Sequence, residues 1–220
     1  MELKGKKAVF LGDSITEGVG VSKHENIYFN RLRVLGELAE VKGYGISGTR
    51  IARQITPTEY APLFDRDYCM RVEELDEDAD IIVVFGCTND FGHGDAPIGT
   101  PEDRTPDTFW GACHYLMNRL QERFHGRTIV FLTPLHRCDE DMPKQIPTGL
   151  DTPVTLETYN QILKTVAEWY AIPIMDMRAV SGIQPRVPVV AETLCPDGLH
   201  PNDAGHALMA ERLFGFLKNL

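Results

Sequence analysis

Hydrophobic positions along this chain fall into blocks of two kinds. Uninterrupted apolar runs occupy 8–11, ended by Gly12, and 81–85, ended by Gly86; 128–132, apolar after Thr128, is stopped by Pro134. Runs this short and uniformly apolar read as strands buried on both faces, the habit of a parallel sheet. Segments 41–44 and 172–175 read as two further short strands. Between them the period lengthens. Ile27, Leu32, Leu35 and Leu38 in 27–38, Ala112, Leu116, Leu120 and Phe124 in 109–124, and Leu163, Val166 and Tyr170 in 156–170 recur at helical spacing. The same holds for Leu208, Met209, Leu213, Phe216 and Leu217 in 204–217, with Asn202 placed to cap that helix. Strands alternating with helices, joined by right-handed crossovers, predict an α/β fold, a three-layer α/β/α sandwich.

The 220 residues suit one domain spanning 1–220, with no repeat, low-complexity tract or linker. Two long Pro- and Gly-rich loops, 91–107 and 136–153, each follow a strand. Both therefore fall at the C-terminal edge of the sheet, where open α/β sheets bind ligands.

Four features converge on that edge. Gly12-Asp13-Ser14 follows the first strand and presents a serine hydroxyl at a strand-to-helix turn; the alternative role of Ser14 is a helix cap, with Glu17 completing a capping box. Gly45-Ile46-Ser47-Gly48-Thr49 follows the second strand, and its glycines let backbone N–H groups approach a ligand, or simply make a turn. Gly86-Cys87-Thr88-Asn89-Asp90 follows the third; Asn89 can donate an amide to an oxyanion, although Asn-Asp is also ordinary turn chemistry. Asp197-Gly198-Leu199-His200-Pro201-Asn202 sets a carboxylate three residues before a histidine, so that one turn can join Asp197 to Nδ1 and leave Nε2 for a serine. Together they supply a nucleophile, a base, an orienting acid and oxyanion donors.

Charge narrows the partners. A net charge of -10 repels phosphate backbones and anionic lipid heads, which argues against nucleic acid and stable membrane association. Segment 8–11 is too short for a signal-peptide core, no apolar run approaches a membrane span, and the five scattered cysteines make no CxxC pair. These features predict a cytoplasmic protein with reduced thiols; oligomeric state is not legible.

At this point the sequence resembles the SGNH hydrolase, or GDSL esterase/lipase, superfamily. The first block is Gly12-Asp13-Ser14-Ile15, with Ile where Leu is usual; Gly48, Asn89 and the Asp197–His200 pair match the later blocks in order, and Pro201-Asn202 follows as is typical. Two departures stand out. Gly43 and Tyr44 occupy the place of an asparagine that often precedes the second-block glycines, and Cys87 stands where a glycine is usual two residues before Asn89. The resemblance implies a flavodoxin-like sandwich with a five-stranded parallel sheet and a serine esterase mechanism without metal or organic cofactor. Its catalytic residues would be Ser14, Asp197 and His200, and its oxyanion hole Ser14 N–H, Gly48 N–H and the Asn89 amide.

Competing readings remain at this stage. Asp13, Asn89, Asp90, Asp197, His200 and His206 could suggest a metallohydrolase, which leaves Ser14 and Gly48 without a role. A non-turnover binding module, a lipase or lysophospholipase, and a thioesterase share the fold. The polar loops, with Asp95, Glu102, Asp103 and Asp107, favour short acyl esters of a polar or sugar-like alcohol as the small-molecule substrate. Cys87 and Cys195 read as buried core residues, Trp110 and Trp169 as packing residues, and His93, His136 and Arg137 as loop residues, in contact with substrate or solvated.

Overall fold

The computed structural model describes residues 1–143 and 154–220; ten residues of the predicted 136–153 loop lie outside these. Chain order runs β1 (Lys7–Gly12), α1 (Ser14–Glu17), α2 (Tyr28–Gly36), β2 (Glu40–Gly45), α3 (Tyr68–Arg71), β3 (Ile81–Phe85), α4 (Thr88–His93) and α5 (Phe109–Arg123). It continues through β4 (Thr128–Leu132), α6 (Leu156–Trp169), β5 (Ile174–Met175), α7 (Met177–Val180), α8 (Pro188–Leu194) and α9 (Asp203–Lys218). The five strands form one parallel sheet in the order β2-β1-β3-β4-β5.

Strand periodicity builds two cores. Val9, Leu11, Ile82 and Val84 pack with the apolar stripes of α5 and α6, whereas Ala8, Phe10, Ile81, Val83 and Phe85 pack with those of α2 and α9. Successive side chains on a strand point to opposite faces, so a continuous apolar run serves both layers. The α/β/α sandwich expected from the pattern is the one observed.

Details depart from the pattern. The fifth strand is shorter than 172–175 because Pro173 has no N–H to give to the ladder; its carbonyl still accepts from Phe131 N at 3.0 Å. Leu35 does not enter the core: Leu3 packs against Gly36 at that end of α2, and Leu35 stays 42% exposed. Trp169 is no packing residue either. It lies past the apolar stripe of α6, 71% exposed, edge-on to His114 and beneath Arg104. Trp110 does pack against the core. Among the described residues, no helix is long and apolar enough to cross a membrane.

Chain direction diverges where β1 lies between β2 and β3, so the segments leaving β1 and β3 open a crevice at the C-terminal edge. Ser14 leaves β1 there, Gly48 leaves β2 and Asn89 leaves β3.

Candidate active site

Helix α1 begins one residue after β1 and lies against the end of β2. A Cβ on Gly45 would stand 2.1 Å from the Glu17 backbone nitrogen, so only glycine admits this approach. The cap of α1 is Asp13, whose buried carboxylate accepts from Ile15 N at 3.0 Å. Ser14 is therefore not the cap, and its hydroxyl is turned to other use. Glu17 makes no capping box; its carboxylate accepts from Ser47 N and Ser47 Oγ, tying α1 to the second block. Ser14 N–H is one of the amides at a helix start that the helix itself cannot satisfy.

The hydroxyl of Ser14 lies 3.0 Å from His200 Nε2. His200 Nδ1 lies 2.7 Å from Asp197 Oδ2, while Asp197 Oδ1 accepts from the backbone N–H groups of Leu199 and His200 at 2.9 and 2.7 Å. Partial burial works to raise the Asp197 pKa, but these bonds outweigh it and hold the carboxyl below its ordinary value. An ionised Asp197 can only accept, so it assigns the proton to Nδ1 and leaves Nε2 as the acceptor for the Ser14 hydroxyl. Asn202 caps α9 immediately afterwards, accepting from Ala204 N and Gly205 N.

Across the crevice, Gly48 adopts φ +73, and a Cβ there would meet the Phe64 ring at 2.5 Å. Position and conformation both require glycine. Asn89 gives one amide hydrogen to Thr49 O at 3.0 Å, which fixes the plane of its side chain and leaves the second hydrogen for a ligand. Asp90 accepts from Ile51 N and Ala52 N at 3.0 and 2.9 Å; burial pushes its pKa up to about 7. Burial likewise raises Asp13 to about 6. Cys87, in the usual glycine position, holds φ 85 with its side chain buried.

Sequence reasoning missed the residue that joins these loops. Arg71 is fully buried and donates to Thr49 Oγ1 at 2.8 Å, to Gly12 O at 3.0 Å and to Tyr44 O. It thereby links the ends of β1 and β2 to the second block, with its guanidinium 5.2 Å from the Tyr68 ring centre. Nothing around Arg71 distinguishes it from a surface arginine in sequence. Arg137, which the sequence leaves as a loop residue either touching substrate or solvated, donates to Thr88 O at 3.0 Å, beside Asn89, with its guanidinium 5.4 Å from the Phe91 ring centre. His136 bonds the buried Glu140, and Cys87 and Cys195 are buried as expected.

The metal candidates separate. His206 is a core histidine that accepts from Tyr28 N at 3.1 Å and stacks on Tyr28, and burial lowers its pKa to about 4. Among the described residues, no three His, Cys, Asp or Glu side chains are grouped to hold a metal ion.

A sequence model described as the GDSL-like lipase/acylhydrolase family matches residues 10–208. No curated protein matches the sequence significantly. Solved structures do. A Lactobacillus plantarum protein is 27% identical over 98% of each chain with a TM-score of 0.81. A Bacteroides ovatus protein is 21% identical over 99% of this chain and 100% of its own, at 0.69. A variant of an acetyl-xylooligosaccharide esterase from Geobacillus stearothermophilus is 20% identical over 98% and 95%, at 0.65.

Proposed function

We propose, for a chain that belongs to the GDSL-like lipase/acylhydrolase family and is an ester-hydrolysing enzyme, that Ser14 is the nucleophile, His200 the base and Asp197 its orienting acid. The observation that carries this is the continuous relay from Ser14 Oγ through both ring nitrogens of His200 to the Asp197 carboxylate. His200 takes the Ser14 proton as Oγ attacks the ester carbonyl. Asp197 stabilises the imidazolium. The developing oxyanion is met by Ser14 N–H, Gly48 N–H and the second hydrogen of the Asn89 amide. His200 returns its proton to the departing alcohol, and water, activated by the same imidazole, releases the acid from the acyl-enzyme.

The reading takes residues 1–220 as one hydrolase domain that works without metal or organic cofactor in the cytoplasm. Its substrate is a short acyl, acetyl-type ester of a polar or carbohydrate-like alcohol; the acidic, polar loops and the likeness to the Geobacillus acetyl-xylooligosaccharide esterase support this choice. Hydrolysis of p-nitrophenyl acetate by the wild type beside Ser14→Ala tests it. Turnover that vanishes in the variant, persists in EDTA and is blocked by covalent fluorophosphonate labelling of Ser14 is expected; equal rates in the two folded proteins overturn the mechanism.

A further inference from the structure

Beside the candidate oxyanion donors lies a cleft of about 330 Å³, bounded by the loop through Gln54, Thr58, Glu59 and Tyr60 and by Arg50 and His93. Its lining includes none of the proposed site residues, but it adjoins them along the chain and through one ring. Arg50 follows Gly48 by two residues, and His93 is one helical turn beyond Asn89 on α4. The Phe64 ring that excludes any side chain at Gly48 sits 5.5 Å from the His93 ring and 6.4 Å from that of Tyr60, edge-on to the tyrosine.

The floor and rim are built rather than draped. The Arg50 side chain, 4% exposed, donates to Asp65 Oδ1 at 2.7 Å, Phe64 O at 3.2 Å and His93 Nδ1 at 3.1 Å. Asp65 also accepts from Thr58 N and Thr58 Oγ1, at 2.6 and 2.7 Å. Asp95 accepts from Ile55 N and Thr56 N, both at 2.8 Å. Two carboxylates and a buried arginine thus hold the loop in one shape before any ligand arrives, which lowers the ordering entropy of binding.

We propose that this cleft is the subsite for the polar, ring-bearing portion of the ester, a neutral sugar-like polyol, with the exposed face of Tyr60 as its stacking platform. The inference rests on the serine esterase reading and adds to it the place and residues of recognition. Two features select the ligand class. An alkyl chain finds no aliphatic wall here except Pro57. An anion finds no unmatched cation, since Asp65 already pairs with Arg50, and Glu59 and Asp95 add negative charge. Tyr60, 88% exposed, offers an apolar ring face, and the Glu59 carboxylate offers acceptors for hydroxyl groups. A ring of C–H groups rimmed with hydroxyls matches both.

The test compares kcat/KM on 6-O-acetylglucose, which keeps its ring hydroxyls free, with that on ethyl acetate, whose alcohol is too small to span the cleft. Tyr60→Ala should lower the ratio of sugar ester to ethyl acetate by roughly three- to tenfold, the range of one aromatic stacking contact. Tyr60→Phe keeps the ring and should keep the ratio. Trp169→Ala, an exposed aromatic far along α6, should leave it unmoved. Tyr60 is nearly fully exposed, so its variants should fold, which a melting curve checks. An unchanged ratio in Tyr60→Ala, or an equal fall in Tyr60→Phe, overturns the subsite while leaving the esterase mechanism standing. Hydrolysis of both esters that persists at the wild-type rate in Ser14→Ala overturns the mechanism itself, and the subsite with it.

Discussion

The two sides of the crevice are held in different ways. On the base side, Asp197 and His200 sit on one turn, and the acid is fixed by bonds from the backbone N–H groups of Leu199 and His200. That side is local and solvent-facing, with the Asp197 side chain 53% exposed. On the nucleophile side, Ser14, Gly48 and Asn89 come from three different strand ends and are joined by buried long-range contacts through Arg71, Thr49 and Asp90. A short motif can specify the first. The second exists only when the sheet has formed. In the proposed mechanism, proton transfer thus depends on local sequence, whereas oxyanion binding depends on the register of the whole sheet.

Removing the link between the two sides should have the largest effect. Ser14→Ala should lower kcat/KM for p-nitrophenyl acetate by roughly 10⁴-fold or more, with the melting temperature nearly unchanged, because the residue contributes chemistry rather than packing. Arg71→Met attacks the nucleophile side alone. It strips a buried donor from Thr49 Oγ1, Gly12 O and Tyr44 O, of which Gly12 O keeps Ile46 N, and should destabilise the protein by about 3–5 kcal/mol, read by urea denaturation. A loss under 1 kcal/mol would show that Arg71 does not join the loops. Asn89→Ala should cost kcat roughly 10²–10³-fold while Ser14 remains reactive to a fluorophosphonate, separating oxyanion binding from nucleophile activation.

A smaller effect appears in the pH dependence of stability. Asp13 ionises near 3.8 when unfolded and about 6 when folded, so between these values the folded state binds the extra proton. Its contribution is fully present below the unfolded value and is lost as pH rises through about 6, a change of roughly 3 kcal/mol. Asp13→Asn keeps a capping oxygen and should flatten that part of the pH profile. Asp197, held below its ordinary value, acts oppositely: its stabilisation is present near neutrality and lost on acidification. A stability difference between wild type and Asp13→Asn that stays constant from pH 4 to 7 would contradict the burial of an ionisable Asp13.

What the sequence revealed follows the same division. The apolar runs at 81–85 and 128–132 announced their strands because burial on both faces leaves no other composition. The Asp197–His200 turn was legible because its geometry is contained in four residues. Ser14 was ambiguous between cap and nucleophile; the cap proved to be its neighbour Asp13, a choice settled by packing against β2. Arg71 was invisible, since its partners are backbone carbonyls and a hydroxyl brought together only by folding. Leu35 and Trp169 had the right character for a core at helix ends that no second layer covers.

Cys87 closes the account of the motif. Its backbone lies in the left-handed region, where a β-carbon costs about 1–2 kcal/mol, and its side chain is buried among apolar neighbours, where loss of a small group costs a comparable amount. A change to glycine relieves the first and incurs the second. The two nearly cancel, so Cys87→Gly should move the melting temperature little, and the third block can take either residue without disturbing the fold around Asn89.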